Sequence, residues 1–219
     1  MKKIETRIRF SDSPWMKNLP TVTIGGLGGI GSWVTFFIGR FGGSMTLYDF
    51  DTVDDSNLGG QCYGRSYLGK TKEAAMVAIL DEFCDNRDVF TFGKLEEDSM
   101  VSEYCFACFD SMSARKSMFE AWKKLENRKL FIDGRMLAEA YQIYVVTPGQ
   151  EEEYEKTLFE DDEVEDLLCS YKATTHCGAG IAHDMTVIFT NFLTNLEEDV
   201  RVVPKRINNL LPLMHKDVY

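Results

Sequence analysis

Four glycines stand in the six residues Gly26-Leu27-Gly28-Gly29-Ile30-Gly31, directly behind the apolar run Thr21–Gly25. Glycines in such a turn let the backbone approach a phosphate closely, and a helix starting there aims unpaired N–H groups at negative charge. Taken alone, the pattern says nucleotide or a plain structural turn. Asp49 lies 23 residues after Gly26, at the end of a second apolar run, where a carboxylate can hold ribose hydroxyls. Up to this point a nicotinamide-dependent oxidoreductase fits as well as an ATP-binding protein.

Metal chemistry finds less support. Cys105-Phe106-Ala107-Cys108 has a chelating spacing, but on a strand residues i and i+3 point to opposite faces, which suits two core thiols better. Cys169, His176, Cys177 and His183 lack the paired spacings of zinc sites. No zinc is expected.

The stretch from Asp49 to Gln61 (DFDTVDDSNLGGQ) separates the two nucleotide readings. It resembles the signature D-x-D-x-V-x-x-S-N-L-x-R-Q of the ThiF/MoeB/HesA family, the adenylyltransferases related to ubiquitin-activating enzymes. Gly69-Lys70-Thr71-Lys72 is similar to that family's G-K-x-K element, and Phe109-Asp110-Ser111 with Arg115 is similar to its D-N-x-x-x-R element. Further on, Cys169-Ser170-Tyr171-Lys172-Ala173-Thr174-Thr175 resembles the C-[ST]-x-[KR]-x-T stretch of small phage and bacterial ThiF-like proteins. The resemblance implies ATP held by Gly26, Gly28, Gly29, Gly31, Asp49, Asp51, Asn57, Arg65 and Lys72. It implies Lys72 and Asp110 as catalytic groups, with Asp110 as the magnesium ligand. It also implies an acceptor with a C-terminal Gly-Gly, a small ubiquitin-like or sulfur-carrier protein, and a homodimer. Cys169 is the candidate to receive the activated carboxylate as a thioester.

Such residue types suit the chemistry. A carboxylate attacking the α-phosphate of ATP brings two anions together, so positive charge has to gather around the triphosphate. The chain departs from the pattern at Gly60, where the family commonly has arginine, and the Gln61–Lys72 segment is one residue short. Arg65 or Lys70 would have to take over that contact. Arg7 and Arg9 are weak matches to the family's N-terminal arginine. The departure at Gly60 keeps a non-catalytic nucleotide-binding scaffold in view, whereas the S-N-L and G-K-x-K elements argue against the oxidoreductase.

Positioning these residues calls for an α/β fold, because short β-like runs alternate with helical stretches over the first two-thirds of the chain. Strands are expected at Thr21–Gly25, Ser44–Phe50, Asp88–Lys94, Tyr104–Phe109, Lys129–Asp133 and Ala140–Thr147. Helices are expected at Gly31–Phe41, Lys70–Phe83 and Ser113–Leu125. Ile181, Met185, Ile188, Phe189, Phe192, Leu193 and Leu196 recur on one helical face, which predicts a core helix. RVVPKR is expected to supply a last strand. The reading is a Rossmann-like three-layer α/β/α fold with a mostly parallel sheet, an ATP-binding half at 1–135 and a substrate-facing half at 136–219.

Of the 219 residues, 44% are hydrophobic and 27% charged, as in ordinary globular proteins. The net charge of −11 argues against nucleic acid. Residues 151–166 alone hold ten acids and one lysine, which predicts a solvated crossover loop that attracts a basic partner. Six scattered cysteines suit a reducing compartment. MKKIETRIRF has no apolar core of a signal peptide, and Ile181–Leu196 is too short and polar to span a bilayer. A cytoplasmic protein without membrane contact is expected.

Overall fold

The computed structural model describes residues 10–84, 88–161, 174–198 and 200–219. Among these residues eight strands form one sheet: β1 (Val22–Gly25), β2 (Met45–Tyr48), β3 (Val89–Thr91), β4 (Tyr104–Ala107), β5 (Leu130–Leu137), β6 (Ala140–Val146), β7 (Arg206–Leu210) and β8 (His215–Val218). Their spatial order is β3-β2-β1-β4-β5-β6-β7-β8. The pairs from β3 to β5 are parallel and those from β5 to β8 antiparallel. This is the expected α/β fold with a mostly parallel sheet.

Apolar patterning decides the layers. β1 and β4 are buried on both faces, as central parallel strands must be. On one side, α1 (Gly31–Phe41), α2 (Lys72–Cys84) and α5 (Thr175–Asn195) bring Val34, Ile38, Met76, Leu80, Ile181, Met185 and Phe189 onto Ile24, Leu47, Phe106 and Ile132. On the other, α3 (Met112–Lys123) and the short α4 (Glu151–Glu155) bring Met118, Phe119, Trp122 and Tyr154 onto Cys105, Ala107 and Phe131. Cys105 and Cys108 therefore face opposite layers, as residues three apart on a strand do. Two helices stop or start on a recognisable residue: α1 ends at Gly42 in the left-handed region (φ 77°), and Ser111 caps α3.

The antiparallel half differs from expectation. β5 runs four residues past Asp133 and folds back on β6 through Ala138, whose φ is 53°. RVVPKR reaches the sheet only at its end, where β7 begins at Arg206, and β8 follows it. The acidic run is not a loop throughout, since its first residues form α4 with Tyr154 buried. Three of its acids pair with other elements: Glu151 with Arg128 and Glu155 with Lys123, each at 2.7 Å, and Glu160 with Lys116, while 162–166 lie outside the described residues. Beneath it lies a buried polar centre. Asp133, fully buried, accepts from Arg115, from Arg135 at 2.7 Å and from the Tyr154 hydroxyl at 3.1 Å. Among the described residues no helix is long and apolar enough to cross a membrane.

Candidate functional site

β1 is flanked by β2 on one side and β4 on the other, and the helices that follow β1 and β4 pack on opposite faces. Where strand order reverses in this way, a crevice opens beyond the carboxyl ends of the strands. The glycine turn sits at that crevice.

Gly26 is left-handed (φ 81°), donates to the Tyr48 carbonyl at 2.9 Å, and a Cβ on it would fall 2.8 Å from the Cys108 carbonyl oxygen. The fold itself thus demands this glycine. Gly28 and Gly29 are different. Among the described residues, a Cβ on Gly28 would meet only the Gln61 amide at 3.9 Å, and one on Gly29 only the flexible end of Met136 at 3.0 Å. The described residues thus leave the space beside Gly28 open and close on Gly29 only with a movable side chain, which suits an approaching phosphate. Ile30, the residue preceding α1, offers no side-chain cap, and the first turn holds no acid, so the helix N-terminus stays available to an anion.

The second wall comes from β2 and α2. Asp49, buried, accepts from the Leu27 N–H at 2.6 Å and from the Asp51 N–H at 2.8 Å. It therefore ties the end of β2 to the glycine turn, and a carboxylate so engaged still has lone pairs for a ribose hydroxyl. Burial pushes its carboxyl above the usual range, outweighing the nearby Lys72 charge and the two N–H groups. The intervening segment returns to its start: Thr52 and Thr71 form a bridge, and the Lys72 N–H donates to the Asp51 carbonyl at 2.9 Å. That closure delivers the buried Lys72 ammonium to Asp51 at 2.7 Å and Asp49 at 4.0 Å, across 21 residues of sequence.

The third wall follows β4. Asp110 is exposed and has no partner among the described residues. It is not the cap of α3, a role that Ser111 takes through a 3.3 Å bond from the Ala114 N–H. Arg115 is buried and spent on Asp133, on the Gly134 carbonyl at 2.8 Å and on the Phe109 carbonyl, so it shapes the Asp110 turn.

Of the other expected residues, Asn57 accepts from the Asp54 N–H at 3.0 Å in a capping box around the short turn Asp55–Asn57. Arg65 is exposed and without an ion-pair partner among the described residues. Lys70 lies over the Tyr67 ring at 5.3 Å. Cys169, Arg7 and Arg9 lie outside the described residues. Cys177 is fully buried on α5, and burial pushes its thiol up to about 11.

Sequence reasoning missed how Gly59–Tyr63 is laced to the glycine turn. The Trp33 indole donates to the Gly60 carbonyl at 3.2 Å, Ser32 Oγ links the Cys62 N–H to the Gly28 carbonyl, and the Tyr63 hydroxyl donates to Leu27 at 2.8 Å. Thr175 donates to the Gly59 carbonyl, and Gly178 lets α5 pack backbone to backbone on Gly29. Only Gln61 hinted at this belt, and its side-chain oxygen is buried without a partner among the described residues.

The site fits ATP with a divalent cation. It has an open glycine cradle, one buried lysine, and carboxylates at Asp51 and Asp110, and magnesium usually takes one or two protein carboxylates.

The family model described as "ThiF family" matches residues 16–209. Among solved structures, PaaA superposes with a TM-score of 0.73 at 20% identity, covering 94% of this chain and 66% of that one. E. coli MccB with ATP gives 0.71 at 15% identity, covering 94% and 65%. The microcin C7 biosynthetic enzyme MccB in complex with N-formylated MccA gives 0.74 at 15% identity, covering 94% and 66%. The chain thus spans about two-thirds of the length of these structural relatives. No curated protein matches it.

Proposed function

The chain belongs to the ThiF family, and from that footing we propose that it adenylates a C-terminal carboxylate with ATP and magnesium. The observation that carries the proposal is the convergence of the open Gly28–Gly29 cradle, the Asp49–Lys72–Asp51 cluster and exposed Asp110 at one crevice. In the proposed step a carboxylate oxygen attacks the α-phosphorus, the bond to the β-phosphate oxygen breaks, and pyrophosphate leaves with its electron pair. The product is an acyl-adenylate.

Gly26, Gly28, Gly29 and Gly31 cradle the phosphates on the open start of α1. Asp49 serves the ribose while holding the turn through Leu27. Lys72 exchanges its bond to Asp51 for the triphosphate, and Arg65 and Asn57 assist from the belt's rim. Magnesium, held by Asp110 with Asp51, supplies charge neutralisation on the phosphates when bound. MccB, solved once with ATP and once with N-formylated MccA, supports a site that takes both a nucleotide and a peptide or protein partner. For this chain the acceptor is a small ubiquitin-like or sulfur-carrier protein ending in Gly-Gly, met by a homodimer.

Cys169 is the proposed thioester acceptor. Burial raises all five described thiols, Cys62, Cys84, Cys105, Cys108 and Cys177, which supports Cys169 over Cys177 for a nucleophile near neutral pH.

A second reading, a nucleotide-binding scaffold without turnover, rests on Gly60, whose missing side chain leaves a phosphate contact to Arg65 or Lys70. Substrate-dependent ATP–pyrophosphate exchange separates the two readings. Wild-type exchange that falls by about 10²-fold or more in Lys72→Ala and Asp110→Ala supports adenylation. ATP binding without exchange, with every Gly-Gly acceptor offered, supports the scaffold.

A further inference from the structure

The turn that carries Asp110 is held by α3 on both sides. Arg115 binds the Phe109 carbonyl just before it, and Ser111 caps the helix just after it. The first turn of α3 is in turn closed from outside the helix. Asp161 accepts the Met112 N–H on one oxygen at 2.5 Å and the Ser113 N–H on the other at 3.2 Å. With Ala114 bound to Ser111 Oγ, three successive N–H groups are satisfied, two of them by a residue 49 and 48 positions away. Hydrogen bonding from Ser113 and Met112 holds the Asp161 carboxyl below its usual range. Glu160 adds an ion pair to Lys116 on the same helix.

The electrostatic consequence falls on Asp110. A helix N-terminus carries about half a positive charge within its first turn, and Asp110 lies immediately before that turn. Left open, it would repel a cation at Asp110 and draw a phosphate toward itself instead. Asp161 neutralises that end and clamps the backbone that follows Asp110.

We propose that Asp161 is a positioning residue that fixes and electrostatically prepares Asp110 for a nucleotide-bound divalent cation. This rests on the ATP reading above.

The test uses full-length Asp161→Ala and Asp161→Asn, with Lys116→Ala as control. In ligand-free protein, the Met112 and Ser113 amides exchange hydrogen about tenfold faster in Asp161→Ala, the size of a lost cap. Asp161→Asn keeps one acceptor oxygen and stays within about threefold of wild type, as does the Lys116 variant. In calorimetry with ATP, the gain in affinity from magnesium over EDTA shrinks about tenfold in Asp161→Ala and is restored in part by Asp161→Asn. Affinity in EDTA stays level or rises. Unchanged amide exchange overturns the proposal, and so does an equal loss of ATP affinity in both buffers, the mark of a merely structural residue. Wild-type protein that binds no ATP in either buffer overturns the nucleotide reading itself and this proposal with it.

Discussion

Replacing Gly178 with alanine pits two effects of opposite sign against each other. Within a helix, glycine to alanine stabilises by about 1 kcal/mol, because the unfolded chain loses freedom. At Gly178 the added Cβ would come within the closest approach of real atoms to the Gly29 carbonyl oxygen, and 3.5 Å from that of Gly60. Relief needs the first turn of α5 or the glycine turn to retreat by roughly 0.5–1 Å. Overpacking of that kind costs about 1–3 kcal/mol, so the net change in stability is about 0–2 kcal/mol destabilising. The larger effect falls on function, since a displacement near 1 Å in a phosphate cradle costs about 10²-fold in rate. Gly180→Ala is the matched control. It lies on the same helix, yet its Cβ would meet only the Tyr141 ring at 3.8 Å, an ordinary contact. It should gain about 0.5–1 kcal/mol and leave nucleotide affinity alone. Urea unfolding with ATP calorimetry on both variants decides the matter. If Gly178→Ala is stabilised like Gly180→Ala and binds ATP as wild type does, the contact between α5 and the glycine turn has no role in holding the cradle.

Asp133→Asn removes the charge that buried Arg115 and half-buried Arg135 share, and breaking such a centre costs about 3–5 kcal/mol, so thermal unfolding should shift down by about 10 °C; an unshifted midpoint would mean the arginines find other partners. Ala138→Gly relieves a left-handed residue in the β5–β6 hairpin and should stabilise by about 0.5–1 kcal/mol in the same assay, with any loss counting against strain at that turn. Burial lifts the Cys62 and Cys177 thiols from 9.0 to about 11, so between those values the unfolded chain releases protons that the folded one keeps. Stability should therefore fall as pH rises from about 9 to 11. Urea midpoints that stay level between pH 8.5 and 10.5 would contradict it.

Local chemistry was legible in the sequence wherever cause and effect lie close along the chain. The helix Gly31–Phe41 matches its expected bounds, because the glycines before it and Gly42 after it are local signals. The strands expected at Thr21–Gly25 and Tyr104–Phe109 form as Val22–Gly25 and Tyr104–Ala107, and they read as buried because parallel central strands leave no polar face. The order of the motifs also sufficed to bring Asp49 and Lys72 to one crevice, since the fold places the ends of β1, β2 and β4 together.

What the tertiary structure alone decided concerns partners far apart in sequence. The acid-rich run looked like solvated charge because nothing within it neutralises Glu151, Glu155 or Asp161; their partners are Arg128, Lys123 and the first turn of α3. Arg115 stood out only as the end of the motif around Asp110, and its partners, Asp133 and the Phe109 carbonyl, appear only in the folded chain. Gly178 carried no signal, since a glycine inside a helical pattern shows its reason only when another backbone lies against it. The added β8 was invisible for a similar cause. As an edge strand it is stabilised by β7, and β7 joins the sheet by pairing with β6 across up to 70 positions of sequence, as Ala140 with Leu210.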